Sequence, residues 1–129
     1  MDEASYQSSK LENNKQLVRN FIEDVLTRHD IGAADKYFFA QKPIKHNGQV
    51  LGTEEFKVAR RRFFQEFPDS RTTIDHIVAE DNLVFAMLTT TATNKQTGKR
   101  VTIKSADLYR IEGGKIAEHW DVVDESGME

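Results

Sequence analysis

The 129-residue sequence contains no cysteine, only two prolines and no long apolar run. The lack of cysteine excludes disulfide bonds, thiol catalysis and cysteine-ligated zinc. A membrane-spanning helix needs about 20 apolar residues in succession, and the polar residues 1–9 lack the basic and apolar regions of a secretion signal. We therefore expect a cytoplasmic protein that neither spans nor binds a membrane.

Neither sign of charge is in large excess, because the chain has 18 Lys and Arg residues and 21 Asp and Glu residues. The net charge of −3 creates no overall field that would attract nucleic acid, so we expect no nucleic-acid partner. The histidines show no metal-binding spacing, and glycine-rich phosphate loops are missing. The sequence predicts no metal site and no cofactor.

The chain length suits a single domain. Residues 1–10 are small and polar, which predicts a flexible N-terminus ahead of one domain over residues 11–125. No repeat or linker divides that span. We expect one hydrophobic core.

Three helices are predicted in the first half of the chain. Apolar residues at helical spacing predict one helix over 11–29 and a short second helix over 33–39 that Asp30 could cap. Thr53 is predicted to cap a third helix, which carries the three successive arginines 60–62. Because successive helical residues point about 100° apart, most of these arginines are expected to face solvent, with phosphate binding as the alternative.

The second half has alternating apolar and polar residues, which is typical of β-strands joined by hairpins. The predicted strands cover residues 71–80, 83–94, 100–111 and 115–123. Helices followed by antiparallel strands predict an α+β fold with the helices on one face of the sheet. A sheet of this size twists, so the two layers can enclose a pocket.

The last hairpin turns at Gly113-Gly114 and leaves the position of Asp107 open. With a two-residue turn, Asp107 pairs with Trp120 and lies on the opposite face from Asp121. One extra residue, present as a bulge, would place the two carboxylates side by side. The sequence does not choose between these registers.

Two stretches carry a resemblance to a known family. Residues 108–121 contain an aromatic-Arg-x-x-x-Gly-Lys-Ile-x-Glu-His-Trp-Asp motif, and Ile44-Lys-His-Asn47 follows the second helix. Together they resemble the SnoaL-like polyketide cyclases, within the nuclear-transport-factor-2-like and ketosteroid-isomerase superfamily. Relatives often have Tyr-x-Gln-His-Asn-Pro in the earlier stretch; here His46 and Asn47 match, whereas the Tyr and Pro do not.

The resemblance implies a cone-shaped α+β barrel whose pocket binds a small hydrophobic molecule, in a homodimer formed through the sheet. It also implies ring closure by an aldol step that uses an acidic side chain and no cofactor. The matching acid is Asp121. Burial against Trp120 and nearby phenylalanines would raise its pKa and make it a better base.

Other polar residues are candidates to bind or polarise the substrate. His46 and Asn47 could act on a carbonyl group across the cavity, and His119 projects to the same face of the strand as Asp121. Tyr109, Trp120 and Asp107 complete the candidate set for substrate binding.

Each candidate also has a structural alternative. Asp121 could form a salt bridge with Arg110 or Lys104, and His46 and Asn47 could satisfy their own turn. His119 could be hydrogen-bonded at a strand edge. Tyr109 and Trp120 could be core or dimer residues.

Three functions are therefore compared. A cyclase or isomerase of a small carbonyl compound predicts a buried Asp121 with a raised pKa and a second polar group nearby. A non-catalytic binding protein predicts an apolar pocket with Asp121 paired to a cation. A protein-interaction module predicts a collapsed cavity and a large apolar patch on the sheet.

Overall fold

The structure, a computed structural model, describes residues 2–40 and 42–126. Its first helix, α1, spans Glu3–Phe21 and continues into a wider π-helical segment, Ile22–Thr27. The Asp2 carboxylate caps α1 by accepting a hydrogen bond from the Ser5 N–H at 2.7 Å. Residues 3–10, expected to be a flexible lead-in, are therefore helical, although their side chains are exposed.

Two further helices follow. A 3₁₀ helix spans Ile31–Lys36, and the Asp30 side chain accepts a hydrogen bond from its Ala33 N–H, which confirms Asp30 as the cap. Helix α2 spans Thr53–Glu66. The prediction of Thr53 as the cap of α2 is wrong by one position, because Gly52 occupies the N-cap and Thr53 is already helical.

The described residues form one six-stranded sheet. The strands are β1 (Ile44–His46), β2 (Gln49–Leu51), β3 (Arg71–Glu80), β4 (Leu83–Thr93), β5 (Arg100–Glu112) and β6 (Lys115–Asp124). Their order across the sheet is β2-β1-β6-β5-β4-β3. Three of the four inner strands and the edge strand β3 are the long hairpin strands that the alternating pattern predicts.

Two details of the expected fold are corrected. The sheet is mixed rather than wholly antiparallel, because β1 pairs parallel to β6, with His46 opposite His119. The sheet is also open, with β2 and β3 as its edges in the described part of the chain, so it does not close into a barrel. The α+β class, with helices packed on one face of the sheet, is confirmed.

The last hairpin contains the bulge that the sequence left open. Arg110 pairs with Glu118 and Ile111 pairs with Ile116, so Ala117 has no partner on β5. This extra residue shifts the register by one, and Asp107 pairs with Asp121. The bulged register is therefore the correct alternative, and both carboxylates face the helices.

The main core lies between the helices and the inner face of the sheet. Phe21 is central to it, and its ring contacts those of Tyr37, Phe38 and Tyr109 at centroid distances of 5.5 to 6.1 Å. A smaller cluster of Phe67, Ala92 and Val101 packs around the end of α2. Among the residues that the structure describes, no helix is long and apolar enough to cross a lipid bilayer.

Candidate active site

A cavity of about 350 Å³ separates the two core clusters, between α2 and the inner face of the sheet. This volume is at the small end of the range for ligand-binding pockets. Apolar side chains line most of it, and polar side chains from β5 and β6 line one wall. The lining includes Phe21, Leu26, Phe56, Arg60, Phe63, Phe67, Leu88, Ile103, Ser105, Asp107, Tyr109, His119, Asp121 and Val123.

Asp107 and His119 form a hydrogen-bonded pair on that polar wall. The His119 Nε2 lies 2.7 Å from one oxygen of Asp107, and the Ser105 hydroxyl donates to the other oxygen at 2.6 Å. The Asp107 side chain is only 6% exposed. The hydrogen bond to this buried carboxylate fixes the orientation of the imidazole ring.

Asp121 belongs to a second group on the same wall. The Asn47 side-chain amide donates to its Oδ1 at 3.0 Å, and the His46 Nε2 lies 3.2 Å from the same oxygen. The Asn47 side-chain oxygen in turn accepts a hydrogen bond from the Asp121 backbone N–H at 2.8 Å. His46 and Asn47 therefore contact Asp121 and do not line the cavity, where they were expected to meet a substrate carbonyl.

A tight turn places Asn47 for these contacts. Asn47 and Gly48 both have positive φ, 52° and 81°, which suits a two-residue hairpin turn between β1 and β2. The Asn47 backbone N–H also donates to the His119 carbonyl oxygen at 2.9 Å. These bonds attach the β1–β2 hairpin to β6, so Asn47 positions Asp121.

Burial alone would raise the pKa of Asp121, but other contacts outweigh it. The Asn47 hydrogen bond, the charge of a protonated His119 and the contacts with His46 together hold the pKa of Asp121 below its ordinary value. The expectation that burial raises this pKa is therefore wrong, because the carboxylate meets donors as well as apolar side chains. Asp121 is ionised at neutral pH and is a weak base.

The two aromatic candidates lie in different places. Tyr109 is 1% exposed and lines the cavity, and its ring stacks on His119 at a centroid distance of 4.5 Å. Burial, with the negative charges of Asp107 and Asp121, raises the pKa of Tyr109 well above its ordinary value, so the phenol stays protonated. Trp120 lies on the outer face of the sheet, 44% exposed, and packs over Gly48 outside the cavity.

Sequence reasoning missed Arg60 as a cavity residue. The run of arginines predicts a solvated face, and Arg61 and Arg62 are indeed exposed. Arg60, however, lines the cavity from α2 together with Phe56, Phe63 and Phe67. These four positions are separated by four, three and four residues, so they lie on one face of the helix. That spacing could have identified Arg60 as a cavity residue.

A family model for SnoaL-like polyketide cyclases matches residues 16–129. The chain belongs to the SnoaL-like polyketide cyclase family. No curated protein sequence gives a significant match.

Solved structures share the fold of this SnoaL-like chain at low sequence identity. A SnoaL-like polyketide cyclase from Agrobacterium tumefaciens is 20% identical, with a TM-score of 0.78 over 89% of this chain and 94% of that one. AclR from Streptomyces galilaeus, a provisionally assigned hydroxylase, is 22% identical, with a TM-score of 0.81 over 92% and 93%. TsrD from Streptomyces laurentii is 25% identical, with a TM-score of 0.76 over 99% and 94%.

One set of side chains in this SnoaL-like site could approach a metal ion. Donor atoms of His46, His119 and Asp121 lie within 4.8 Å of one another. Two histidines and a carboxylate suit a divalent transition metal. Asp121 Oδ1 already contacts Asn47 and His46 at hydrogen-bond distance. That this protein has no resident metal stays a prediction from the sequence.

The lowered pKa of Asp121 predicts a pH-dependent contribution to stability. Because the folded-state pKa lies below 3.8, ionised Asp121 stabilises the fold above that pH, and the contribution is lost as the pH falls through the folded-state value. The urea midpoint of the wild type should exceed that of Asp121→Asn at about pH 6, and the gap should close near about pH 3. A gap that widens toward acid pH would mean that the folded-state pKa is raised.

Proposed function

We propose that this protein is a cofactor-independent cyclase or isomerase that removes a proton next to a carbonyl group of a small hydrophobic compound. The observation that carries the proposal is the convergence of Asp121, His119 and Asp107 on one wall of a cavity whose exposed lining is mainly apolar. Family membership supports a cyclase-type reaction. The cavity volume suits a small substrate.

In the proposed reaction, Asp121 accepts a proton from carbon and the resulting enolate attacks a second carbonyl carbon. One carbon–carbon bond forms, and the electron pair of the attacked carbonyl moves to its oxygen. His119, oriented by Asp107, donates a proton to that oxygen. Transfer of the proton from Asp121 to His119 completes the cycle, so the product is an isomer of the substrate.

The weak basicity of Asp121 restricts the substrate. Proton transfer to a carboxylate whose pKa is below the ordinary value is unfavourable unless the carbon acid is itself activated. A carbon flanked by two carbonyl groups meets this requirement, because its enolate is delocalised over both oxygens. We therefore infer a β-dicarbonyl substrate, with His46 and Asn47 as positioning residues for Asp121.

A second candidate function is non-catalytic binding of a small molecule. One observation favours it: Asn47 and His46 already contact the Asp121 carboxylate at hydrogen-bond distance. The pKa of Asp121 is also lowered, which makes it a weaker base. A protein-interaction module, by contrast, predicts a collapsed cavity, and the cavity is open. Exchange of a substrate proton separates the first two candidates.

Deuterium exchange into benzoylacetone, a β-diketone, tests the role of Asp121. The wild type should accelerate exchange of the central protons in D₂O, followed by NMR, and Asp121→Asn should reduce the enzyme-dependent rate by about 10²–10⁴-fold. Asp124→Asn is the matched control, because Asp124 is an exposed carboxylate at the end of the same strand. An unchanged rate in Asp121→Asn would remove it as the base, and binding without exchange would support the second candidate.

We also propose a homodimer formed through the outer face of the sheet, in keeping with the partner expected from the family resemblance. Large apolar side chains are exposed there on neighbouring strands, and a second copy would cover them. They are Val78, Leu83, Met87, Trp120 and Val122. The cytoplasmic location remains a prediction from the sequence.

Sedimentation measures this assembly. The wild type should sediment at twice the chain mass of 14.8 kDa, and Val122→Glu should shift it to the monomer. Val58→Glu is the control, because Val58 is exposed on α2, away from the sheet. A wild type that stays monomeric at tens of micromolar would contradict the proposal.

A further inference from the structure

Two polar atoms in the cavity wall lack the partners that buried polar atoms normally have. Among the residues that the structure describes, the buried side-chain atoms without a hydrogen bond are the Nε of Arg60 and the hydroxyl oxygen of Tyr109. Both residues line the same cavity. An unsatisfied buried polar group destabilises the fold, so such a pair is expected where a ligand completes the bonds.

The surroundings of Arg60 leave its charge uncompensated. Burial lowers the pKa of its guanidinium to about 10, and only the neighbouring Tyr109 opposes that shift. No carboxylate contributes to the balance. The guanidinium remains charged at neutral pH, and within residues 2–40 and 42–126 no carboxylate forms an ion pair with it.

Two phenylalanine rings pack against the Arg60 guanidinium. Its central carbon lies 4.7 Å from the Phe63 ring centroid and 4.8 Å from that of Phe64. Cation–π contacts of this kind use the face of the guanidinium, whereas its N–H donors lie in the plane, at the edge. This arrangement suits an arginine that binds two oxygens side by side.

We propose that the cavity binds a small, mainly apolar carboxylic acid, and that Arg60 and Tyr109 bind its carboxylate. The inference rests on the proposed function in one respect: it assumes that the same cavity is the substrate site. The inference adds the chemical class of the substrate. The substrate is a carboxylic acid whose activated carbon lies at the end of the molecule away from the carboxylate. Arg60 would then hold the substrate while Asp121 reaches the carbon.

The charges in the cavity favour a carboxylate over a phosphate. Among the described residues that line the cavity, Arg60 is the sole lysine or arginine, whereas Glu66, Asp107, Asp121 and Glu125 are acidic. One arginine matches one negative charge. The four carboxylates would repel a dianionic phosphate about twice as strongly as a carboxylate, and Arg60 alone could not neutralise it.

Calorimetric titration with naphthoate and its neutral amide, naphthamide, tests the inference on the full chain. The two probes have nearly the same size and differ in charge. The wild type should bind naphthoate at least about tenfold more tightly, because a hydrogen bond to a charged group is worth about 1.5–3 kcal/mol. Arg60→Gln should abolish this preference while affinity for naphthamide stays within about twofold.

Arg61→Gln provides the matched control, because Arg61 is the next residue on the same helix and is exposed. It should keep the wild-type preference for naphthoate within about twofold. Tyr109→Phe removes only the hydroxyl and should weaken naphthoate binding without weakening naphthamide binding. If Arg60→Gln does not fold, Tyr109→Phe still allows the preference for naphthoate to be tested.

Several results would overturn the inference. They are equal wild-type affinity for both probes, no wild-type binding of naphthoate at millimolar concentration, or an undiminished preference in both Arg60→Gln and Tyr109→Phe. Such failures are distinguishable from failure of the proposed function, which the exchange of benzoylacetone protons measures. A carboxylate preference without Asp121-dependent exchange would support an acid-binding protein that is not an enzyme.

Discussion

The register of the last hairpin is the constraint on which the rest of the site depends. In an antiparallel sheet, a shift of one residue moves every side chain of a strand to the other face. The unpaired Ala117 provides this shift, and Asp107 and Asp121 consequently lie opposite each other on the inner face. Without the bulge, His119 and Asp121 would face the outer side, because the pairing of Asp107 with the buried Ala86 of β4 holds Asp107 on the inner face. His119 would then lose its carboxylate partner.

The parallel pairing of β1 with β6 completes the arrangement. It places His46 beside His119, with ring centroids 5.1 Å apart, and places Asn47 where it can donate to Asp121. These donors stabilise the charged carboxylate more than burial destabilises it. The site therefore combines an ionised weak base, an oriented histidine and a separate cation at Arg60. That combination suits an activated, acidic substrate better than a simple ketone.

Much of the fold could be predicted from the sequence because strong local patterns determine it. Residues 71–80 form the predicted strand, and the other three long strands differ from their predicted ends by one residue or not at all. Helix α1 starts earlier than predicted, since the side-chain cap at Asp2 outweighs the scarcity of apolar residues before Leu11. The short strand β1 lacks any alternating pattern of its own, so its parallel pairing could not be predicted.

The candidate site was predictable only in part. Alternation along β6 correctly places His119 and Asp121 on one face and Trp120 on the other. The pKa of Asp121 depends on a loop that is distant in sequence, and no local pattern reveals that contact. The 100° step between helical residues predicts that most of the three arginines face solvent, but it does not identify Arg60 as the exception. The packing of Phe63 and Phe64 against its guanidinium explains why a charge is tolerated there.

Cross-linking of β5 to β6 tests the bulged register most directly, and the absence of native cysteine leaves no competing thiol. Ala106 pairs with Val122 on the outer face in this register, whereas an unbulged hairpin would pair Ala106 with Asp121. Because paired Cα atoms lie about 4.5–5.5 Å apart, within disulfide range, Ala106→Cys with Val122→Cys should close an intramolecular bond on mild oxidation. Ala106→Cys with Asp121→Cys should remain reduced, as judged by mass spectrometry. Closure of the second pair instead of the first would contradict the bulge and, with it, the shared face of the two carboxylates.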